Sequence, residues 1–166
     1  MLAVISHDAG GADILSSYLN QNDIDCLYVL DGPAVKIFKK KLGDIEIICL
    51  EEAIQKSTSI LCSTSWQSDI EFNSIKIARF TGKRSIAFLD HWVNYRERFN
   101  RSGKTCLPDE IWVGDVFAEN IARQLFPNTM VSLIENPYFK DIQKKLAVIN
   151  KKLFNATDSI NVIFVC

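Results

Sequence analysis

The feature that most limits what this chain can become is a rhythm. Short apolar runs of strand length alternate with longer stretches whose apolar residues recur at helical spacing. Residues 2–6 form an apolar run that ends in the polar, glycine-bearing loop His7-Asp8-Ala9-Gly10-Gly11, and residues 12–20 then place Ile14, Leu15, Tyr18 and Leu19 at helical positions. Residues 24–30 read as a second strand, and Pro33 suits the first turn of the helix that follows. A third strand is expected over 45–49, a short helix over 50–56, a fourth strand over 59–62, and a helix over 69–81 that Gly82 terminates. After a fifth strand over 84–89 the rhythm breaks, because residues 100–109 carry no periodicity and several breakers, which marks a long connection. Strands over 110–113 and 129–134, a helix over 116–125, a turn over 135–139 and a helix over 142–154 complete the pattern.

Alternation of this kind requires right-handed crossovers between parallel strands. The expected fold class is α/β, a Rossmann-like three-layer sandwich with a mostly parallel sheet and helices on both faces. The first five strands are expected in the order 3-2-1-4-5. Residues 161–166 read as a fresh strand, so the expected organisation is a Rossmann-like amino-terminal domain over 1–157 and the first strand of a truncated carboxyl-terminal domain over 158–166.

Composition narrows the function classes. A chain of 166 residues is the size of one ordinary domain. Its formal net charge of -1 lacks the basic surplus of a dedicated nucleic-acid binder. No stretch approaches the roughly 20 apolar residues that cross a bilayer, and residues 1–5 have no basic flank, so a cytoplasmic address is expected. The cysteines show no CxxC spacing, and Cys26, Cys49 and Cys62 fall in or beside apolar runs, which reads as small buried side chains. The lysines at 39–41, 144–145 and 151–152 read as solvated faces.

In open parallel sheets ligands bind beyond the carboxyl ends of the strands. That rule singles out His7, Asp8, Gly10 and Gly11 after the first strand, Ser63, Thr64, Ser65 and Trp66 after the fourth, and Asp90, His91 and Trp92 after the fifth. The glycines allow close backbone approach, and the helix after them offers N–H groups to an anion. Equally, they need only make a tight turn, with His7 and Asp8 capping the helix. The loop lacks the third glycine of a dinucleotide fingerprint, although Asp31 stands where a ribose-binding acid is expected; no cofactor is expected. Asp90 and His91 supply a carboxylate and an imidazole suited to deprotonating a hydroxyl. Two imidazoles and two carboxylates from His7, Asp8, Asp90 and His91 also make chemically reasonable metal ligands. Trp92, Tyr95 and Phe99 interleave with Arg96, Arg98 and Arg101, either to stack a sugar or base while holding an anion, or as an amphipathic helix with its aromatics in the core.

Four stretches resemble the amino-terminal half of GT-B-type glycosyltransferases and the related UDP-N-acetylglucosamine 2-epimerases: residues 3–11, Leu89-Asp90-His91-Trp92, residues 107–114, and Glu135-Asn136-Pro137-Tyr138-Phe139. The last is similar to the G-N-P-x-x-D turn before the interdomain link of that superfamily, with Glu135 where glycine is usual. The resemblance implies an acceptor-side domain, inactive alone, for transfer of a sugar from a nucleotide-sugar to a hydroxyl acceptor in polysaccharide or glycoconjugate synthesis. It implies a donor held mainly by a missing carboxyl-terminal domain, and a base among His7, Asp8, Asp90 and His91. Gly10, Gly11, Thr64, Ser65, Trp66, Trp92, Arg96, Arg98 and Asn136 are the expected acceptor-binding residues. Two other readings stay open, a non-catalytic small-molecule or anion-binding module and a metal-dependent hydrolase. A half-enzyme with an uncovered cleft face is also free to form homo-oligomers.

Overall fold

The computed structural model of this protein describes residues 1–148. Strand β1 (Leu2–Ser6) feeds helix α1 (Ala9–Gln21), β2 (Cys26–Leu30) feeds α2 (Pro33–Leu42), and a short α3 (Leu50–Lys56) leads into β3 (Ser59–Cys62). Helix α4 (Ile70–Phe80), β4 (Arg84–Leu89), a single turn α5 (Tyr95–Arg98) and the two-residue strands β5 (Asn100–Arg101) and β6 (Lys104–Thr105) follow. Strand β7 (Glu110–Val113), α6 (Val116–Leu125), β8 (Met130–Leu133) and α7 (Pro137–Val148) complete the described chain.

Six strands form one parallel sheet in the order β2-β1-β3-β4-β7-β8, with helices on both faces. The fold is the α/β, Rossmann-like three-layer sandwich that the alternation implies. Central strands are apolar throughout because both of their faces are covered. Ala3, Ile5, Ile60, Cys62, Ala87, Leu89, Ile111 and Val113 point to one core, with residues of α3, α4, α5 and α6. Val4, Leu61, Ile86 and Phe88 point to the other, with residues of α1 and α2 and with Tyr138 of α7 packed against it.

Several boundaries differ from those expected from the sequence. Residues 45–49 do not form a third strand: Ile47 makes only an isolated parallel bridge to Tyr28 on the outer side of β2. Gly43, at φ 86°, ends α2 and α3 starts at Leu50, and between them the chain touches the edge of β2 at one point only instead of running alongside it. Its place still corresponds to the outermost position of the 3-2-1-4-5 order. Cys49 is exposed beside the N-terminus of α3 instead of buried in a strand, whereas Cys62 is buried. The aperiodic segment after α5 contains the hairpin β5–β6, turned by Ser102 and Gly103 at φ 50° and 77°. Helix α1 begins at Ala9, so Gly10 and Gly11 belong to its first turn, and α7 begins at Pro137, inside the expected turn. The end of the 142–154 helix, Lys151, Lys152, Cys166 and the second-domain strand at 158–166 lie outside the described residues.

Candidate functional site

The carboxyl ends of β1, β3 and β4 bring their loops together, as the strand order requires. What fills the junction between β1 and β3 is a buried polar network. Ser6, Ser63, Thr64, Ser65 and Glu71 are each at most 3 % exposed. Glu71, in the first turn of α4, accepts the backbone N–H of His7 at 2.9 Å and the Ser63 hydroxyl at 3.0 Å through the same oxygen, Oε1. Ser6 Oγ lies 2.8 Å from Ser63 Oγ, so with Ser63 donating to Glu71 it is Ser6 that donates to Ser63. The second oxygen, Glu71 Oε2, is buried with no partner among the described residues. Burial raises the Glu71 pKa, and the nearby Asp8 charge adds to the rise while the hydrogen bonds oppose it. The neutral acid suits this environment, since no cation pairs with Glu71 among the described residues.

His7 and Asp8 hold one another, with Nδ1 and Oδ1 2.9 Å apart, and Ser65 donates to the same Asp8 oxygen at 2.8 Å. Ser65 Oγ in turn accepts the backbone N–H groups of Gln67 and Ser68 at 3.1 and 3.2 Å. Asp8 therefore occupies the N-cap position of α1 without a side-chain cap bond, and His7 and Asp8 do not cap the helix with their side chains. The His7 ring packs over Gly32: a Cβ there would lie 2.7 Å from Nε2. The imidazole is thus turned toward the start of α2, not toward Asp90 and His91.

Asp90 stands at the end of β4 with its side chain 11 % exposed. Arg98 donates through Nη1 to Asp90 Oδ1 at 2.6 Å, to the Thr64 carbonyl at 2.7 Å and to Thr64 Oγ1 at 2.9 Å. This single guanidinium ties the loop after β3 to the loop after β4. Asp90 Oδ2 has no hydrogen-bond partner among the described residues, and it lies against the first turn of α1, where a Cβ on Gly10 would approach it to 2.6 Å. A Cβ on Gly11 would collide with Ser63 Cβ. The glycines serve close approach, as expected, but what they approach is Asp90 and Ser63. The positive end of α1 accordingly faces a carboxylate of the protein itself. Burial raises the Asp90 pKa; Arg98 pulls it down and Asp8 adds to the rise.

Beside Asp90, at the carboxyl ends of β4 and β7, opens a cavity of about 180 Å³. Its rim and walls include Asp90, His91, Trp92, Asp115, Asn136 and Phe139. Asp115 caps α6, its Oδ1 accepting the N–H groups of Phe117 and Ala118 at 2.9 Å each, while its Oδ2 accepts the Trp92 indole N–H at 2.8 Å. That bond fixes an indole that is otherwise 59 % exposed. His91 Nδ1 accepts the Trp92 backbone N–H at 3.1 Å, which leaves Nε2 to carry the ring proton. Asn136 Oδ1 accepts the Tyr138 N–H at 3.0 Å at the start of α7, and its carboxamide packs on Gly114, where a Cβ would come within 3.2 Å.

The residues selected from the sequence thus divide. His7, Asp8 and Ser65 form one linked group; Gly10, Thr64, Asp90 and Arg98 form a second; His91, Trp92 and Asn136 join Asp90 around the cavity. Trp66 is exposed and Arg96 lines a different groove with Glu97 and Asn100, so neither joins them. Tyr95 and Phe99 are core residues, 2 % and 0 % exposed, which answers for these two the choice between stacking and burial. Arg101 braces the loop after β3, donating to the Ser65 and Ser68 carbonyls and to Asp69 Oδ1. Among the described residues no three His, Cys, Asp or Glu side chains are grouped to share a metal ion, so the His7, Asp8, Asp90, His91 metal site is not assembled.

Glu71, Asp115 and Phe139 do not stand out in the sequence as site residues. A signal for Glu71 exists, since positions 71, 75 and 78 share one helical face and Ile75 and Ala78 are buried. Asp115 follows a strand and precedes a helix, which is both a cap position and a strand-end position. Phe139 carries no such signal, because its place depends on α7 folding back against α1. No family model matches the chain, and neither a curated protein nor a solved structure matches it.

Proposed function

We propose that the chain is the acceptor-side domain of a GT-B-type glycosyltransferase serving polysaccharide or glycoconjugate synthesis, with the nucleotide-sugar donor held mainly by a second domain that faces it. The observation that carries this reading is Asp90, which lines a cavity together with an indole and a phenyl ring and whose Oδ2 has no hydrogen-bond partner among the described residues. Sugars are bound by aromatic faces against their C–H surfaces and by carboxylates and carboxamides against their hydroxyls. Asn136 supplies the carboxamide here.

In this reading Asp90 is the base. Its Oδ2 takes the proton of the acceptor hydroxyl while that oxygen bonds to the anomeric carbon of the donor and the nucleotide leaves with the electron pair. Arg98 holds Oδ1 and so fixes the direction of Oδ2. A carboxylate whose pKa is raised by burial is a stronger base than an ordinary one.

Titration of the chain with neutral and amino monosaccharides and with nucleotide-sugars, followed by NMR, tests the proposal. Monosaccharides are expected to shift the Trp92 indole N–H and the Gly10 and Gly114 amides with dissociation constants of about 1 mM, near -4 kcal/mol. Asp90→Asn should weaken the response about tenfold. No shift at these positions with any sugar of the panel overturns it.

A further inference from the structure

Helix α7 is fastened by one face. Pro137 is buried, Tyr138 packs on the core beneath α1 and α2, and Asp141 reaches Lys41 and Gln21. Phe139 and Ile142 each stand one position further along, about 100° round the helix from Tyr138 and Asp141. With Leu146 they make an apolar stripe beside the packed face, and Phe139 and Leu146 are 57 % and 56 % exposed. From Gln143 to Val148 every residue of α7 is exposed. Helices in proteins owe most of their stability to the packing of an apolar face, and among the described residues nothing covers this stripe.

The stripe has a period. Ile142-Gln143-Lys144-Lys145-Leu146 returns seven residues later in the sequence as Ile149-Asn150-Lys151-Lys152-Leu153, so that from Phe139 to Leu153 the apolar positions are spaced three, four, three and four apart. Such spacing is the seam by which one helix lies along another. It is narrower than the broad apolar face with which a helix lies on a lipid surface. At this spacing Lys145 and Lys152 flank the seam on one side, and Gln143 and Asn150 on the other. Residues 140–153 carry five lysines against one aspartate, in a chain whose formal net charge is -1. That aspartate, Asp141, is taken by Lys41, and Lys140 pairs with Glu135, while Lys144 and Lys145 pair with no acid among the described residues. Two copies of this helix laid together would crowd like charges, whereas an acidic helix would complement them.

We infer that the exposed stripe of α7 is a docking face for an acidic amphipathic helix of a protein partner, which lies along Phe139, Ile142 and Leu146 with its carboxylates beside Lys145. The probe is a synthetic peptide of about three heptads with Leu and Ile at the seam positions, Glu on both flanks and Ala elsewhere, beside a twin with Lys in place of Glu. Titrated into the full chain and followed by NMR, the acidic peptide is expected to shift the amides of residues 139–146 and to bind about tenfold tighter than its basic twin. Leu146→Gln, at an exposed position, should leave the unfolding midpoint unchanged and weaken the acidic peptide about tenfold. Lys145→Glu should narrow the preference between the two peptides about threefold or more. Equal binding of the two peptides, or no shift with either, overturns the inference. So does binding of the chain to phosphatidylglycerol vesicles that Leu146→Gln abolishes, which would give the stripe to a lipid surface, or a dimer of the chain alone that Leu146→Gln breaks, which would give it to a second copy. No sugar enters this experiment, so the docking face stands or falls apart from the sugar-binding reading.

Discussion

At Gly11 a single hydrogen atom stands where any other residue would place its β-carbon against Ser63. Gly11→Ala should therefore destabilise the protein by about 1–3 kcal/mol, read from the urea midpoint at constant slope. Arg98→Met should be harsher, by about 3–5 kcal/mol, because it strands the Asp90 carboxylate in a buried site, and adding Asp90→Leu should recover much of that loss. Glu71 contributes a pH dependence. Its pKa is raised in the fold above the usual 4.5, so below that value both folded and unfolded chains hold the proton. As pH rises through 4.5 the unfolded chain releases its proton first, and stability falls until the raised native value is passed. Glu71→Gln should accordingly match the wild type at about pH 4 and exceed it at about pH 8, in denaturation midpoints taken across that range. The gain should be roughly 1.4 kcal/mol for every tenfold by which folding tightens the hold on that proton. Glu71→Ala should lose stability at every pH, since it leaves the His7 N–H and the Ser63 hydroxyl without an acceptor. Such effects are only partly legible in a sequence. The strand-end rule finds Asp90 and Thr64, because it depends on chain order. It does not find that Arg98, eight residues beyond Asp90, closes the pair, or that His7 turns toward Gly32, because these depend on side-chain directions set by packing.

Elements are more legible than their docking. Apolar periodicity marks β1, β4 and α6 within a residue or two, since burial on one or both faces is written into neighbouring positions. It overextends residues 45–49 into a strand because an edge segment and a core strand can share the same apolar content. The lysine run 39–41 shows the same limit: Lys39 and Lys40 are exposed, but Lys41 is only 15 % exposed. Lys41 lies 3.4 Å from Asp141, donates to Ser17 and sits over the Tyr138 ring. Gln21 adds bonds to Asp141 at 2.9 Å and to the Pro137 carbonyl at 2.8 Å. This cluster fastens α7 to α1 and α2, and α7 carries Phe139 to the cavity. Lys41→Met should speed amide exchange along α7 by about tenfold or more while the central strands keep their protection, as hydrogen exchange would show.

For the molecule as a whole, the sheet divides the apolar interior into two cores that share only its backbone. Phe99 packs on one face and Phe38 on the other, each fully buried. Phe38→Ala and Phe99→Ala should each cost about 3–5 kcal/mol. Milder Leu replacements at the two sites should combine additively to within about 0.5 kcal/mol in equilibrium unfolding. The contact between the loops after β3 and β4 has a consequence in time. Since Arg98 joins Thr64 to Asp90 through bonds made wholly within the chain, the wall of the cavity does not depend on a ligand to hold it. A ligand entering it need not wait for a rare open or closed form, nor lose affinity to one. Its observed association rate should therefore rise in proportion to concentration without reaching a plateau, and variation among related ligands should fall mainly on how slowly they leave.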